Sequence, residues 1–168
     1  VRPALISSPT SYSEPLTPPI GLAYLAGTLI ADGLKVTAID AIGEAPQNYV
    51  LEQDYRCQGL AINEVLQRIP LDTSLIGISC MFTQDWPYVQ KVVVAVREQF
   101  PHTPIMVGGE HITALPEFSL RECPAINYCC LGEGEETLAE IATCIKSQGR
   151  LDEVAGLAFI QEDQYVET

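Results

Sequence analysis

Three short segments of the chain combine small residues with polar side chains, a pattern that suits the binding of a bulky ligand. Gly108-Gly109-Glu110-His111 begins with two residues that lack a Cβ atom, so a ligand can approach the backbone closely there. Gly132-Glu133-Gly134 is a second open turn of this kind. Ser79 adds a small hydroxyl group that can make a hydrogen bond to a ligand. We therefore predict ligand binding at these residues and assign no catalytic residue.

Each segment also has an ordinary structural explanation. A Gly-Gly pair is often a simple turn, and the hydroxyl of Ser79 can bond to its own backbone. An isolated histidine such as His111 is more often hydrogen-bonded in a loop than bound to a metal ion, and His102 is expected to be structural. Glu135 and Glu136 suit the first turn of a helix because the helix dipole favours carboxylates there. These segments form one binding site only if the fold brings them close together.

The candidate segments follow short apolar runs that predict buried strands. Because stripes of apolar residues at helical spacing separate these runs, the crossovers should be right-handed and the sheet mostly parallel, with helices on both faces. Ligands bind such sheets outside the carboxyl ends of the strands, where the candidate segments stand. The predicted strands are Ala4–Ser7, Lys35–Asp40, Leu75–Met81, Ile105–Gly108 and Ile126–Leu131.

Glycine and proline mark the ends of several predicted helices. The first helix is expected to stop at Gly33 and the last at Gly149. Asp85 is a candidate N-cap for the third helix, and Thr113–Glu122 is predicted to form one shorter helix.

Two segments depart from the alternation of strands and helices. Gly43–Cys57 is polar and aromatic, and we predict a loop there. After the last helix, the apolar runs Ala155–Ile160 and Tyr165–Val166 flank the polar residues Gln161–Gln164. This pattern predicts a C-terminal β-hairpin.

Length and composition limit the classes of protein to which the chain can belong. Its 168 residues fit one globular domain. Nine Lys and Arg against 22 Asp and Glu give a formal net charge of −13, which disfavours nucleic acid and anionic membrane surfaces as partners. The longest apolar runs, Ile20–Ala31 and Leu75–Phe82, fall far short of the roughly 20 residues that span a bilayer.

The six cysteines predict buried, free thiols. No pair has the two-residue spacing of a zinc or redox motif. Free thiols are typical of a reducing compartment, so we predict a cytoplasmic protein.

Two other functions of parallel α/β domains stay open at this point, a flavodoxin-like FMN-binding domain and a ligand-free interaction or signalling module. The loop Ser8–Gly21 holds four prolines, whereas a phosphate-binding turn is short, rich in glycine and continuous with a helix. FMN binding is therefore disfavoured. A receiver domain is nearly excluded, because it needs acidic residues after the first strand and an aspartate after the third. The chain has Ser8-Pro9 and Ser79-Cys80 at those places.

The ordered set of motifs resembles the N-terminal cobalamin (B12)-binding domain of B12-dependent radical S-adenosylmethionine enzymes. The resemblance runs from Ala4 to Val166. It implies a flavodoxin- or Rossmann-like three-layer sandwich, with a five-stranded parallel sheet in the order 2-1-3-4-5 followed by the hairpin. The matching segments are Pro19-Ile20-Gly21-Leu22-Ala23-Tyr24-Leu25-Ala26, Asp40, Gly77-Ile78-Ser79, Gly108-Gly109-Glu110-His111, Gly132-Glu133-Gly134-Glu135-Glu136-Thr137-Leu138 and Gly156-Leu157-Ala158.

The resemblance implies cobalamin bound in its base-off form at the carboxyl ends of the strands. Cobalamin proteins hold the detached base with a Ser-x-Leu motif after the third strand, which corresponds here to Ser79 and Met81. The Gly-Gly pair would give the nucleotide tail room. The cobalamin-binding residues implied in this way are Pro19, Ile20, Gly21, Ser79, Met81, Thr83, Gly108, Gly109, Glu110, His111, Gly132, Glu133 and Gly134.

The loop after the first strand departs from the pattern of other cobalamin proteins. Methionine synthases and mutases carry Asp-x-His-x-x-Gly there, and its histidine ligates cobalt. Ser8–Gly21 contains no histidine, as is common in the radical S-adenosylmethionine branch. The resemblance therefore implies "His-off" cobalt, with its lower face against Ser11–Gly21.

The cysteines limit the activity expected of this chain alone. None of them has the Cys-x-x-x-Cys-x-x-Cys spacing that holds a radical S-adenosylmethionine [4Fe–4S] cluster. The resemblance thus implies a cobalamin-binding domain over residues 1–150 and a junction over 151–168 to a downstream catalytic barrel that holds the cluster and S-adenosylmethionine. The chain alone is expected to be non-catalytic, either as a module of such an enzyme or as a stand-alone carrier. Methyl transfer or related radical chemistry is implied for the whole enzyme, on a substrate that the sequence does not identify.

Overall fold

Strands and helices alternate along most of the chain, as the apolar pattern predicts. The computed structural model describes residues 1–10, 17–52 and 55–168, and for residues 50, 52 and 55 the backbone alone. Within these ranges, no helix combines the length and the apolar character needed to cross a membrane. The strands are β1 (Pro3–Ser7), β2 (Thr37–Asp40), β3 (Tyr49–Glu52), β4 (Tyr55–Gln58), β5 (Leu75–Ser79), β6 (Ile105–Gly108), β7 (Tyr128–Cys130), β8 (Leu157–Gln161) and β9 (Gln164–Glu167). The helices are α1 (Ile20–Ala31), α2 (Ile62–Arg68), α3 (Trp86–Gln99), α4 (Glu110–Ala114), α5 (Pro116–Glu122) and α6 (Glu135–Ser147).

The parallel part of the central sheet has the strand order β2-β1-β5-β6-β7. The predicted order 2-1-3-4-5 is therefore confirmed. Successive side chains of a strand point to opposite faces of the sheet, so each face packs in its own hydrophobic core. Leu5 and Met106 pack under α1 and α6, whereas Ile6 and Val107 pack under α2, α3 and α5. Burial on both faces explains why these strands read as short continuous apolar runs.

The sheet has seven strands, so the prediction of five is wrong. The predicted C-terminal hairpin is present as β8 and β9, and its turn residues Glu162 and Asp163 have positive φ. β8 pairs antiparallel with β7 and buries Leu157 and Ala158. Without this pairing β7 would be an edge strand with unpaired backbone groups. The hairpin therefore extends the sheet.

A second hairpin lies in Gly43–Cys57, where a loop was predicted. β3 and β4 pair antiparallel as a two-stranded sheet of their own. Arg56 stacks on Tyr49, with its Cζ atom 3.5 Å from the ring centroid. These two strands do not alternate regularly between apolar and polar residues, so the apolar pattern of the sequence does not predict the hairpin.

One predicted helix is wrong in its bounds, and one predicted N-cap has the right position without the expected hydrogen bond. Thr113–Glu122 is not one helix, because α4 ends at Ala114 and Pro116 begins α5. Proline lacks a backbone N–H and therefore suits the first turn of a helix but not its interior. Asp85 stands at the N-cap position of α3, yet its carboxylate makes no capping hydrogen bond. The expected stop at Gly33 is confirmed, since this residue has φ +78 just after α1.

Candidate functional site

The carboxyl ends of β1, β5 and β6 carry three small residues side by side. Ser7 pairs with Ser79, and Ser79 pairs with Gly108, in the register of the parallel strands. By the alternation of side chains along a strand, all three lie on the face that α1 and α6 cover. Each is half-buried, whereas the residue before it is buried. We call Ser7, Ser79 and Gly108 the small-residue row.

Two glycines lie beside this row, close to α1 and to Cys130. A Cβ atom added to Gly134 would lie 3.2 Å from Cδ2 of Leu25 in α1 and 3.4 Å from Sγ of Cys130. A Cβ atom added to Gly108 would lie 3.5 Å from Cβ of Cys130. The row, α1 and the turn before α6 therefore adjoin around Cys130. We call the region between the sheet and α1, lined by Gly108 and Gly134, the slot.

The two adjacent glycines after β6 have different roles. Gly109 has φ +107, and a Cβ atom there would lie 2.6 Å from the carbonyl oxygen of Cys80. The Cys80 N–H also donates to the carbonyl of Gly108 at 2.8 Å, so the two backbones pack directly together. Gly108 itself has no positive φ, and its added Cβ would make only ordinary contacts. The backbone conformation thus requires glycine at 109, whereas the backbone at 108 can accept a Cβ atom.

His111, one of the predicted site residues, is a buried member of the core. It is 2% exposed, and its ring centroid lies 5.0 Å from that of Trp86. Its Nδ1 lies 3.1 Å from Oγ1 of Thr83, and its Nε2 lies 3.5 Å from Oγ of Ser119. Because the Ser119 hydroxyl donates to the carbonyl of Leu115, it can only accept from Nε2–H. In the tautomer that satisfies both contacts, Nε2–H donates to Ser119 and Nδ1 accepts the proton of Thr83.

The other predicted site residues lie on loops and helix starts at the same edge of the sheet. All of them except Pro19, which is half-buried, are exposed. They are Pro19, Ile20 and Gly21 at the start of α1, Met81 and Thr83 after β5, Glu110 in α4, and Gly132 and Glu133 before α6. Residues 11–16, expected beneath the ligand, lie outside the described part of the chain.

The loop after β1 is held at its beginning by two contacts. Oγ1 of Thr10 lies 2.8 Å from both carboxylate oxygens of Asp85, which is buried at the start of α3. The backbone N–H of Gln58 in β4 donates to the carbonyl of Thr10 at 2.8 Å. The first residues of this loop are therefore fixed beside the carboxyl ends of β1 and β5.

Sequence reasoning missed Ser7, Leu25 and Thr113. Ser7 could have been found, because it ends the first predicted strand as a small hydroxyl residue, just as Ser79 stands near the end of its own strand. Oγ1 of Thr113 accepts a hydrogen bond from the Gly132 N–H at 3.0 Å. No spacing in the sequence indicates that contact, because it joins a helix to a loop across the sheet edge.

Burial keeps the thiols near the slot protonated. It raises the pKa of Cys80 and Cys129 to about 12 and that of Cys130 to about 11. Five of the six cysteines are buried, Cys144 is half-buried, and none forms a disulfide. Among the described residues, no group of three or more His, Cys, Asp or Glu side chains is arranged to hold a metal ion. Because the thiolate is the metal-binding form, we regard these thiols as structural.

The burial of His111 leads to a prediction about stability and pH. Burial lowers the pKa of His111 below the value of about 6.5 that histidine has in an unfolded chain. The unfolded state therefore binds the proton first as the pH falls, and the folded state loses stability below about 6.5. We expect the free energy of unfolding, measured by urea denaturation, to decrease between about pH 7 and 5.5. The decrease should be smaller in His111→Gln, and equal slopes in the two proteins would contradict the prediction.

The sequence places the chain in a known family. The family model described as a B12 binding domain matches residues 10–142, which is more than half of the chain. The chain belongs to the B12 binding domain family. The expected resemblance to the cobalamin-binding domains of radical S-adenosylmethionine enzymes is thereby confirmed, and relatives and solved structures agree with it.

A curated relative and two solved structures show how far the similarity extends. The anaerobic magnesium-protoporphyrin IX monomethyl ester cyclase of Synechocystis is 30% identical over 152 residues, covering 90% of this chain and 28% of the relative. The radical S-adenosylmethionine methyltransferase TsrM of Kitasatospora setae, solved with cobalamin and a [4Fe-4S] cluster, matches with a TM-score of 0.75 at 18% identity. The cobalamin-dependent S-adenosylmethionine radical enzyme OxsB, solved with aqua-cobalamin and S-adenosylmethionine, matches with a TM-score of 0.78 at 21% identity.

These matches span most of this chain but only part of each relative. The two structural matches cover 99% of this chain, and 28% of TsrM and 22% of OxsB. At such low identity they show that the fold of the B12-binding domain is shared. The chain is thus less than a third as long as each of the three relatives.

Proposed function

We propose that the chain binds cobalamin in its base-off form, with the nucleotide tail of the cofactor in the slot. The observation that carries the proposal is the small-residue row, in which Ser7, Ser79 and Gly108 are adjacent and half-buried. A tail that enters between a sheet and a helix needs a lining without bulky side chains, and Gly108 and Gly134 supply such a lining. Membership in the B12 binding domain family supports the same ligand. The residues present therefore fit this cofactor.

Hydroxyl groups supply the polar contacts that we propose for the cofactor. The Ser79 hydroxyl lies in the row and would hold the tail or the detached base. In the tautomer in which Nδ1 of His111 accepts the proton of Thr83, this hydroxyl offers only acceptor lone pairs to a ligand. The carboxamide groups of cobalamin are N–H donors, which an acceptor of this kind can bind.

We further propose that no histidine of this chain ligates the cobalt. The chain has two histidines, and both ring nitrogens of His111 already face hydroxyl groups in the core. His102 lies between α3 and β6, at the opposite edge of the sheet. Cobalamin held in this way, with no histidine of this chain bound to it, would supply cobalt chemistry that suits acceptance and donation of a methyl group.

We propose that the chain acts as the cofactor-holding part of a longer, cytoplasmic radical S-adenosylmethionine enzyme. The names of its relatives and the fraction of their length that it covers support this proposal. A downstream barrel would carry the [4Fe–4S] cluster and S-adenosylmethionine, with residues 151–168 as the junction, and would perform methyl transfer or related radical chemistry. Buried cysteines without disulfides suit the reducing cytoplasm.

Titration of the chain with hydroxocobalamin tests the proposal. We expect the absorption spectrum to change to that of base-off cobalamin as the cofactor binds. Ser79→Ala should raise Kd about fivefold, the effect of losing one hydrogen bond of typical net strength. Ser147→Ala is the matched control, because that hydroxyl lies at the end of α6 and bonds to carbonyls of its own helix.

Three results would contradict the proposal in different ways. No spectral change at near-millimolar cobalamin would refute cobalamin binding by this chain. Flavin absorbance in the purified chain would favour the FMN-binding alternative. Equal affinities of Ser79→Ala and Ser147→Ala would place the tail away from the row.

A further inference from the structure

The short helix α4 bonds to two different loops at the ligand-binding edge. His111 lies next to Thr83 in the loop after β5, with Nδ1 3.1 Å from Oγ1. Thr113 accepts a hydrogen bond from the backbone N–H of Gly132, in the loop after β7, at 3.0 Å. Because α4 directly follows β6, these bonds connect it to the loops of both neighbouring strands. The helix that follows β6 therefore contacts the loop after β5 and the loop after β7.

The hydrogen bond from the Gly132 N–H to Thr113 forms at a residue whose Cβ position is open. Gly132 has φ +66, and a Cβ atom added there would meet no atom within 4 Å among the described residues. The turn at Gly132 is therefore not wedged in place by neighbouring side chains. The hydrogen bond to Thr113 ties this turn to α4, whereas the N–H of the preceding residue, Leu131, donates to the carbonyl of Gly156 in the C-terminal part of the chain.

The residues around His111 indicate which atom donates and which accepts in its contact with Thr83. Ser119 of α5 donates its proton to a carbonyl of its own helix and faces Nε2 of His111 as an acceptor. Trp86 packs against the imidazole ring from the start of α3. One tautomer satisfies both contacts, with Nε2–H facing Ser119 and the lone pair of Nδ1 directed at Thr83.

We propose that α4 is a brace that sets the width of the slot, with His111 and Thr113 as its positioning residues. This inference rests on the proposed binding of cobalamin. The loop after β5 and the loop after β7, which contains Gly134, lie on either side of Gly108. Holding both loops before the ligand arrives reduces the entropy lost when they order on binding. Loss of either bond should therefore weaken binding while every group that contacts the ligand stays present.

Thr113 provides the sharper test, because its side chain is exposed and its replacement leaves the core intact. Thr113→Val keeps the shape of the side chain and removes the acceptor, so we expect about a fivefold rise in the Kd for hydroxocobalamin. Thr113→Ser restores the acceptor and should bind within about twofold of the parent. Thr143→Val is the matched control, since that exposed hydroxyl bonds within α6.

Amide hydrogen exchange supplies a readout that needs no cofactor. In Thr113→Val, we expect the Gly132 amide to exchange at least about fivefold faster than in the parent, because its acceptor is lost. Thr113→Ser and Thr143→Val should retain the parent rate. A merely structural role of Thr113 would instead lower the thermal midpoint without a selective effect at Gly132.

A pair of His111 variants tests the other arm of the brace. The amide oxygen of an asparagine lies near the position of Nδ1, whereas that of a glutamine lies nearer to Nε2. Both variants lose the imidazole ring, but only His111→Asn can keep an acceptor for Thr83. We expect His111→Asn to bind hydroxocobalamin about threefold tighter than His111→Gln.

The outcomes separate this inference from the proposed function. If the parent binds cobalamin and Thr113→Val binds as Thr143→Val does, the brace is refuted and cobalamin binding stands. If the parent binds no cobalamin, the proposed function fails and the brace loses its role in binding. An unchanged exchange rate at Gly132 in Thr113→Val refutes the brace in either case.

Discussion

Gly109→Ala is expected to destabilise the chain by roughly 3 kcal/mol or more, which corresponds to a fall of about 10 °C in Tm. The added methyl group would lie 2.6 Å from the carbonyl oxygen of Cys80, in a conformation with φ +107 that side chains rarely adopt. Both the overlap and the dihedral angle involve backbone, so rotation of a side chain cannot relieve them. Thermal and urea denaturation of the purified variant would measure the loss.

Gly132→Ala is the matched control for this prediction. Gly132 also has a positive φ, +66, but an added Cβ atom would meet no atom within 4 Å among the described residues. The left-handed conformation alone costs about 1 kcal/mol for alanine. The difference between the two variants therefore measures the contact with Cys80 together with the greater backbone strain of alanine at φ +107. If both lost the same stability, close packing of Gly109 against β5 would not contribute.

Gly108→Leu is expected to weaken cobalamin binding about 100-fold, or about 2.7 kcal/mol, while the chain still folds. Gly108 has no positive φ, and its Cβ position makes only ordinary contacts with Cys130. The isobutyl group would extend from the row into the slot, where we place the nucleotide tail. Titration with hydroxocobalamin gives the affinity, and circular dichroism checks the fold.

Gly27→Leu is the control for the added side chain. Gly27 is exposed on α1, and a Cβ atom added there meets nothing within 4 Å among the described residues. Leucine favours a helix more than glycine does, so this variant should be as stable as the parent or more so. If Gly108→Leu folded and bound cobalamin as Gly27→Leu does, the tail would not occupy the slot.

The two glycine predictions also show why neighbouring residues need different experiments. A side chain at either position could abolish binding, and from the Gly-Gly pair alone both glycines were expected to leave room for a ligand. At Gly109 the loss would follow from damage to the fold. At Gly108 it would follow from a filled slot. Only the second variant reports on the ligand site.

Much of the fold was predictable from local pattern. Short apolar runs such as Ile105–Gly108 predict strands buried on both faces, and helical stripes between them predict parallel pairing with right-handed crossovers. The C-terminal hairpin was predictable from its polar turn, but its partner strand was not. Cys129 and Ala158 are 29 positions apart, and their pairing depends on which sheet edge is left uncovered.

The candidate site divides in the same way between local and long-range information. Gly108, Gly109, Gly134 and Ser79 were predictable because small residues at the ends of predicted strands leave space at the carboxyl edge of a parallel sheet. His111 was predicted to line the site, yet it lies 2% exposed between α3 and α5. Its position depends on the break between α4 and α5, which folds Ser119 back toward the ring.

The sequence by itself determined the class of fold, the edge of the sheet where a ligand would bind and the family that the motifs resemble. These depend on hydrophobic periodicity and on glycine, whose effects are local. Only the tertiary structure decided that Ser7 joins Ser79 and Gly108 in one row, that glycine at 109 serves the backbone, and that Thr113 holds Gly132. Strand register and loop contacts join residues far apart in the chain, so no local pattern encodes them. The six cysteines indicated no cluster by their spacing, and the structure shows that five of them are buried and that none forms a disulfide.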